Sequence, residues 1–480
     1  MKTTLLCLAL ALPAFAEEAN PFVTGPEKTA PVEAGEPFAS LVEYVVVPAE
    51  VLDDWLDAHP LKDDAKELRA VVQQWIHEGK ATLDQTSVTV GTSGFISINQ
   101  SCREPIHATE YEPSDPGEWP MPSAFATRNV GYTFEGTATT EQGKPTLLGR
   151  MEFVRILPQL PFHPLVDATC LPGDVFIPRY RSISVSQTNG EEARGDSDPF
   201  APSSDPDPFA KTSDAVRFSP GSVHLAARTN ELLPMPRIQS EPLPEAAAED
   251  DAALLADRPV RLIFFRGVVE PFPDAPRPVP GEESQISVRL VKVDHRVFSD
   301  WLQTADLSTI QGAAAGVTDE WRKEGKAKIL SELSARNRMG SSTHLDSVAE
   351  VTYPTEWEPG VLAPAVDGKP AQREFATGTS FETRNVGLSA ETRIVQDSDW
   401  PFVRVKVNSV EHGGNTVHHR IFRDGKWQVN ATFPLFSSGG LQSNLLLTPG
   451  QWMLAGSNAA IDVTGQFDPD HAVLVFVKVE

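Results

Sequence analysis

Hydrophobic and polar positions alternate along residues 41–47, where Val42, Val45 and Val47 mark a strand, and residues 287–293 do likewise. Downstream of the first strand the period changes. Over 62–78, Ala65, Leu68, Val72, Trp75 and Ile76 fall on one face at helical spacing. Gly79 follows the last periodic residue, and Gly325 holds the matching place further on, where a left-handed helix C-cap favours glycine. The remainder reads as short β-leaning runs punctuated by Gly, Pro, Asp and Asn, such as 150–156, 402–408, 426–433, 442–448 and 472–479. Strand, helices, then mostly sheet predicts an α+β unit dominated by antiparallel strands.

The pattern occurs twice. Residues 41–113 align without gaps on 287–359, an offset of 246, with about 20 of 73 positions identical. Asp54-Trp55-Leu56 matches Asp300-Trp301-Leu302, and Trp75 with Glu78-Gly79-Lys80-Ala81 matches Trp321 with Glu324-Gly325-Lys326-Ala327. Thr109 to Pro113 matches Thr355 to Pro359, carrying Glu112 opposite Glu358. Beyond this point the offset becomes 256, and Phe125 to Gly131 matches Phe381 to Gly387, each copy holding Thr-Arg-Asn-Val-Gly. The expected organisation is a leader at 1–16, a linker at 17–40, repeat 1 at 41–272, a Pro-rich linker at 273–284 and repeat 2 at 285–480. Repeat 1 carries two acidic, polar insertions, near 183–214 and 236–257, whose composition buries too little apolar surface to order them.

Composition narrows the function. Lys2, the apolar stretch Leu5 to Leu12 and Ala14-Phe15-Ala16 make a secretory signal peptide, too short to span a bilayer. Export to the periplasm or outer membrane is therefore expected. A formal charge of −25 argues against nucleic-acid partners, which need clustered Lys and Arg. Two cysteines survive removal of the leader, Cys102 and Cys170; an oxidising compartment permits a disulfide between them, and both paired and free thiols stay open.

The recurring residues point to structure more than chemistry. Trp55, Trp75, Trp301 and Trp321 fit core packing of the helical part better than a stacking platform for a ligand. Arg128 with Glu112, and Arg384 with Glu358, suit a repeated structural arginine–carboxylate pair. No metalloprotease, nucleophile-elbow or phosphate-loop motif is present, and His and Cys are sparse. No enzyme activity, cofactor or metal is expected.

The second copy resembles the core domain of bacterial secretins, the outer-membrane channel proteins of type II and type III secretion and type IV pilus systems. The resemblance is carried by Glu324 to Ser331 (a helix end and following strand) and by Thr383 to Gly387, at the start of long strands. Pro434-Leu435-Phe436-Ser437 is similar to a late hairpin, Pro449 to Gly456 to a turn before a strand, and Ala472 to Val479 to the closing strand. It covers about 285–480, with a fainter echo over 41–270. The family's proline- and leucine-rich segment before the last strand is absent, residues 457–471 being short and polar, and a channel protomer carries one core where this chain has two. The resemblance implies a non-enzymatic envelope protein with a structural or binding role beside secretion or pilus machinery, its partners being envelope proteins or further copies of itself. An outer-membrane channel subunit is the alternative, and a secreted hydrolase is a distant third. Alternation at Trp427, Val429, Ala431, Phe433 and Leu435 fits a half-buried strand, with a lipid-facing strand as the other reading.

Overall fold

Val42, Val45 and Val47 lie in β1 (Pro37–Pro48), a strand covered on both faces, which is why nearly every residue along it is buried. The computed structural model describes residues 35–112, 121–141, 144–162, 175–185, 215–230, 259–270, 280–281, 283–363, 372–397, 400–423 and 426–480. The leader, Cys170, almost all of the two acidic insertions and most of the linker at 273–284 lie outside them.

Each copy starts with the same succession. In the first, β1 is followed by α1 (Ala49–Ala58), α2 (Lys66–His77), β2 (Thr82–Thr92) and β3 (Ser97–Glu104). In the second, β12 (Glu283–Asp294) is followed by α3 (His295–Thr304), α4 (Ile310–Lys323), β13 (Ala327–Arg338) and β14 (Ser342–Glu358). The glycine caps form as expected. Gly79 and Gly325 take φ of +72° and +77°. Lys80 N–H donates to the Trp75 carbonyl and Lys326 N–H to the Trp321 carbonyl, both at 2.8 Å, the long bond of a Schellman cap.

The first copy continues through β4 (Ile106–Glu112), β5 (Met121–Thr127), β6 (Val130–Glu141), β7 (Lys144–Phe162) and β8 (Val175–Val185). It ends with β9 (Val216–Phe218), β10 (Val223–Asn230) and β11 (Pro259–Val269). The second continues through the short pair β15 (Leu362–Ala363) and β16 (Gln372–Arg373), then β17 (Thr377–Asp397), β18 (Trp400–Arg423) and β19 (Lys426–Leu446). It closes with β20 (Met453–Ile461) and β21 (Phe467–Val479). The fold is thus α+β and mostly antiparallel β, as the sequence predicts.

Two large sheets hold these strands. One has the order β10-β11-β1-β2-β20-β21-β12-β13, the other β4-β5-β14-β17-β18-β19-β3-β6-β7-β8 with β9 beside β7. The first is two equivalent four-stranded blocks set side by side; the second holds two such blocks, β14-β17-β18-β19 and β3-β6-β7-β8, with β4, β5 and β9 added. The equivalence extends to irregularities: β10 and β20 carry a register shift at matching places, Leu225/Ala227 and Leu454/Gly456. Met151 opposite Val185 repeats as Val407 opposite Leu441, which fixes the 256 offset through the hairpin.

Helices cover the outer face of the first sheet, and the second sheet packs on its inner face. Leu68, Val72, Trp75 and Ile76 bury against Val45, Leu262 and Phe264, and Phe298, Leu302 and Trp321 do the same in the second copy. Tyr44, Phe38 and Phe265 meet Tyr132, Phe134 and Phe153 between the sheets. Trp75 and Trp321 are each 8% exposed, while Trp55 and Trp301 are half-buried against the same clusters. Trp301 meets Trp321 edge-on at 5.8 Å.

Two findings differ from the sequence reading. Residues 426–433 and 442–448 are not separate runs: one strand, β19, spans Lys426–Leu446, and Pro434 to Ser437 lies within it instead of at a hairpin. The first copy is also interrupted where the second is continuous. Pro105, standing where the second copy has Val351, separates β3 from β4, and Arg128-Asn129 separates β5 from β6. The freed β4–β5 hairpin reaches the edge of β14, with Ala124 opposite Glu356. There Phe125 packs on Phe433 with ring centroids 3.9 Å apart.

The glycine of the Thr-Arg-Asn-Val-Gly motif has a steric reason in both copies. Gly131 (φ +147°) and Gly387 (φ +129°) sit where a Cβ would come within 2.1 Å of the Ser101 carbonyl and 2.2 Å of the Ser347 carbonyl, equivalent atoms of the neighbouring strand. The cap glycines have open space around them. Gly131→Ala and Gly387→Ala are expected to cost more than about 2 kcal/mol. Gly79→Ala and Gly325→Ala should cost about 1 kcal/mol, from backbone conformation alone. Urea unfolding of the four variants measures the ranking, and equal losses at all four positions contradict it.

Candidate functional site: the seam between the copies

Beside the β5–β14 contact, both sheets are joined between copies at one seam. In the first sheet β2 meets β20, with Thr89 opposite Gly456. In the second β3 pairs with β19 over seven aligned residue pairs, from Phe436 opposite Glu104 to Gln442 opposite Ile98. Ala39, Leu41, Val88 and Val90 of the first copy belong to the second copy's core cluster.

Small polar residues line the seam, because backbones approach closely there. A Cβ at Gly456 would lie 2.6 Å from the Val88 carbonyl, and one at Gly440 would lie 2.8 Å from the Gln100 side chain. Fully buried Ser457 works in both directions: its Oγ accepts the Val88 N–H at 2.8 Å and donates to the Thr86 carbonyl at 3.1 Å. The Asn99 amide donates to the Val88 and Ser457 carbonyls at 2.9 and 3.0 Å. Ser101 Oγ accepts the Ala459 N–H at 2.9 Å, and Ser97 shares a hydrogen bond with Ser443 at 2.9 Å. Each member has a partner from the other copy, so the low-dielectric surroundings strengthen these bonds.

Charged groups lock the helical side of the seam. Arg69 and Glu43, 2% and 3% exposed, form a two-pronged pair at 2.6 and 2.8 Å, and Gln303 of the second copy donates to the same carboxylate at 3.2 Å. Burial opposes the charge on Glu43, but the Arg69 guanidinium, with Arg266 nearby, outweighs it and holds the carboxyl below its usual range. Arg266 also donates to the Leu302 carbonyl of the second copy. His295 bridges Thr86 (2.8 Å) and the Pro469 carbonyl (2.9 Å); burial there holds its pKa down. Gln73 donates to Asp300 at 2.7 Å.

Of the residues singled out from sequence, Arg384 lies beside this seam, though not with its expected partner. It pairs with Glu104 of the first copy at 2.5 Å, whereas Glu358 ends β14 on an exposed position opposite Thr377. The crossover at Pro105 brings Glu104 into reach, which sequence spacing does not reveal. Glu112 ends β4, and the Arg128 N–H donates to the Pro105 carbonyl at 3.3 Å. Cys102, opposite Ser438 on the seam, is buried and makes no disulfide among the described residues. Burial pushes its thiol up to about 12, so at neutral pH it is the poorly reactive protonated form. Asn99, Ser443, Ser457 and Glu43 are the residues that sequence reading missed. The one signal for them was Ser437-Ser438-Gly439-Gly440, small residues inside a β-leaning stretch.

No family model and no curated protein matches the chain. Among solved structures it is similar to the V. cholerae type IV competence pilus secretin PilQ, at 12% identity and a TM-score of 0.19 over 46% of this chain and 66% of that one. It is also similar to the InvG secretin domain β-barrel of the Salmonella SPI-1 injectisome, at 7% identity and a TM-score of 0.20 over 53% and 84%.

The buried ion pair gives a pH dependence. With the Glu43 carboxyl held below its unfolded value of about 4.3, its stabilisation is complete above that pH and is lost as pH falls through the lower folded value. Glu43→Gln leaves Arg69 buried without its counter-charge and is expected to cost about 3–5 kcal/mol at neutral pH. The same variant should lose less stability than the parent on acidification. Thermal unfolding from pH 7 down to the acid limb checks both, and an unchanged acid limb in the variant rules the assignment out.

Proposed function

We propose that this is a non-enzymatic, exported cell-envelope protein whose role is structural or binding, within protein secretion or pilus machinery. The observation that carries this reading is the seam. Its buried polar chemistry is devoted to joining β-edges, so that two units become one stretch of double sheet. The secretin-like motifs of the second copy support the link to secretion, and the leader-like N-terminus supports export. A tagged chain is expected in the periplasmic or outer-membrane fraction, cut after Ala16, and crosslinked in cells to a specific envelope protein or to itself. Recovery from the cytoplasm with an intact N-terminus, or crosslinking no different from background, overturns the reading.

A second reading, an outer-membrane channel subunit, is favoured by Val417 (43% exposed) and Val429 (47% exposed) on the neighbouring strands β18 and β19. Ala431, Phe433 and Leu435 of the same alternation are buried core, and Asn430, Pro434 and Phe436 on the other face are buried as well. The channel reading predicts a large detergent-stable ring in outer-membrane extracts, and a monomer in the soluble periplasm removes it.

A further inference from the structure

The two copies fill the gap between their sheets with different groups. In the first, Tyr44, Tyr132 and Phe153 pack together there, and Arg261 lies over the Phe153 ring at 4.2 Å while pairing with Asp84. Strand register identifies the equivalents in the second copy. Tyr44 and Asp84 become Leu290 and Leu330, and Phe153 opposite Ile183 becomes Ser409 opposite Gly439. Arg261, opposite Val46 and Thr229, becomes Val473, opposite Lys292 and Asn458. A ring is thus reduced to a hydroxyl, a branched chain to hydrogen and a guanidinium to an isopropyl group. The smaller set leaves a cavity of about 20 Å³ walled by Leu290, Val407 and Val473, with Ser409, Glu411 and Asn458 as its polar lining.

Asn458 reaches into this space because Gly439 faces it: a Cβ there would lie 2.8 Å from Asn458 Nδ2. Asn458 is 4% exposed, and its buried Oδ1 has no hydrogen-bond partner among the described residues. Glu411 is half-buried. Burial raises its carboxyl above the usual range, Lys292 opposes that shift, and Asp462 adds to it. Lys292 is itself bonded to Asp468 at 2.8 Å. An amide oxygen and a carboxylate both accept hydrogen bonds, so neither satisfies the other. A buried acceptor without a donor costs stability. One water needs about 10–15 Å³ of such space, whereas a drug-sized ligand needs about 300 Å³ or more. We propose that the cavity is a binding site for a single water molecule, which donates one hydrogen to Asn458 Oδ1 and the other to the Glu411 carboxylate. It accepts a hydrogen bond from the Ser409 hydroxyl. The water stands where the first copy places a phenyl ring and a guanidinium. It also tethers the two sheets of the second copy, since Asn458 belongs to one and Glu411 to the other.

The site goes beyond the structural role argued above and stands or falls without it. A high-resolution crystal structure of the unmodified chain is expected to show one isolated peak in the cavity. It should lie about 2.7–3.2 Å from both Asn458 Oδ1 and a Glu411 oxygen. An empty cavity overturns the proposal. So does a peak about 2.3–2.6 Å from those oxygens, which marks a bound divalent cation. Oxygen-17 relaxation dispersion supplies a second reading in solution, because it counts water molecules held inside a protein. Asn458→Leu removes an acceptor and fills the space, and Ser409→Phe restores the ring of the first copy. Each variant is expected to hold one long-lived water fewer than the parent. An unchanged count in either folded variant overturns the proposal.

Discussion

Seven residue pairs between β3 and β19 decide how everything else in the molecule is placed. An isolated edge would leave the backbone groups of Ile98 to Glu104 unpaired inside the protein, a cost that grows with every buried residue. Joining the copies satisfies that edge, and with it the second sheet becomes continuous from β14 to β8. Where the backbones approach most closely, at Gly440 and Gly456, the residues around them include Ser, Gly, Asn and Thr. Those side chains, sealed from water, must then bond across the joint, as Ser457 and Asn99 do. The apolar clusters on either side are filled by ordinary Val, Leu and Phe, which tolerate repacking better than this polar strip does.

The copies have diverged where they meet. Glu43 corresponds to Arg289 and Arg69 to Ala315, so the buried pair of the first copy has no counterpart in the second. Arg289 instead reaches Glu332 at 2.7 Å and lies over the Trp452 ring at 3.9 Å. Pro105 in place of Val351 breaks one long strand into two and frees a hairpin to cover the partner copy. The Glu43–Arg69 pair and the freed hairpin both reach the other copy, through Gln303 and through β14, whereas the Arg289 contacts stay within the second copy.

Much of this architecture was legible beforehand. Helical periodicity located α2, glycine after the last periodic residue located its cap, and the repeated offsets located the duplicate of each. Tryptophan at matching places read as packing because its area dominates a small helical layer. The seam was not legible, for a physical reason. Gly439 and Gly440 lower local β-propensity, so a stretch such as Ser437 to Gly440 looks like a break between strands, yet here it is the middle of one, made narrow for a neighbouring backbone. The Arg384–Glu104 contact was hidden likewise, since it links residues 280 positions apart through a crossover.

A joint made within one chain forms at an effective concentration set by the tether between its halves. Hydrogen bonds across Ser457 and Asn99 therefore need supply only geometry, while an identical contact between free molecules must also offset lost translational freedom. The duplication thus makes this joint unimolecular and independent of protein concentration. It also sets a parity: any closed assembly of such chains contains an even number of units, whatever its size.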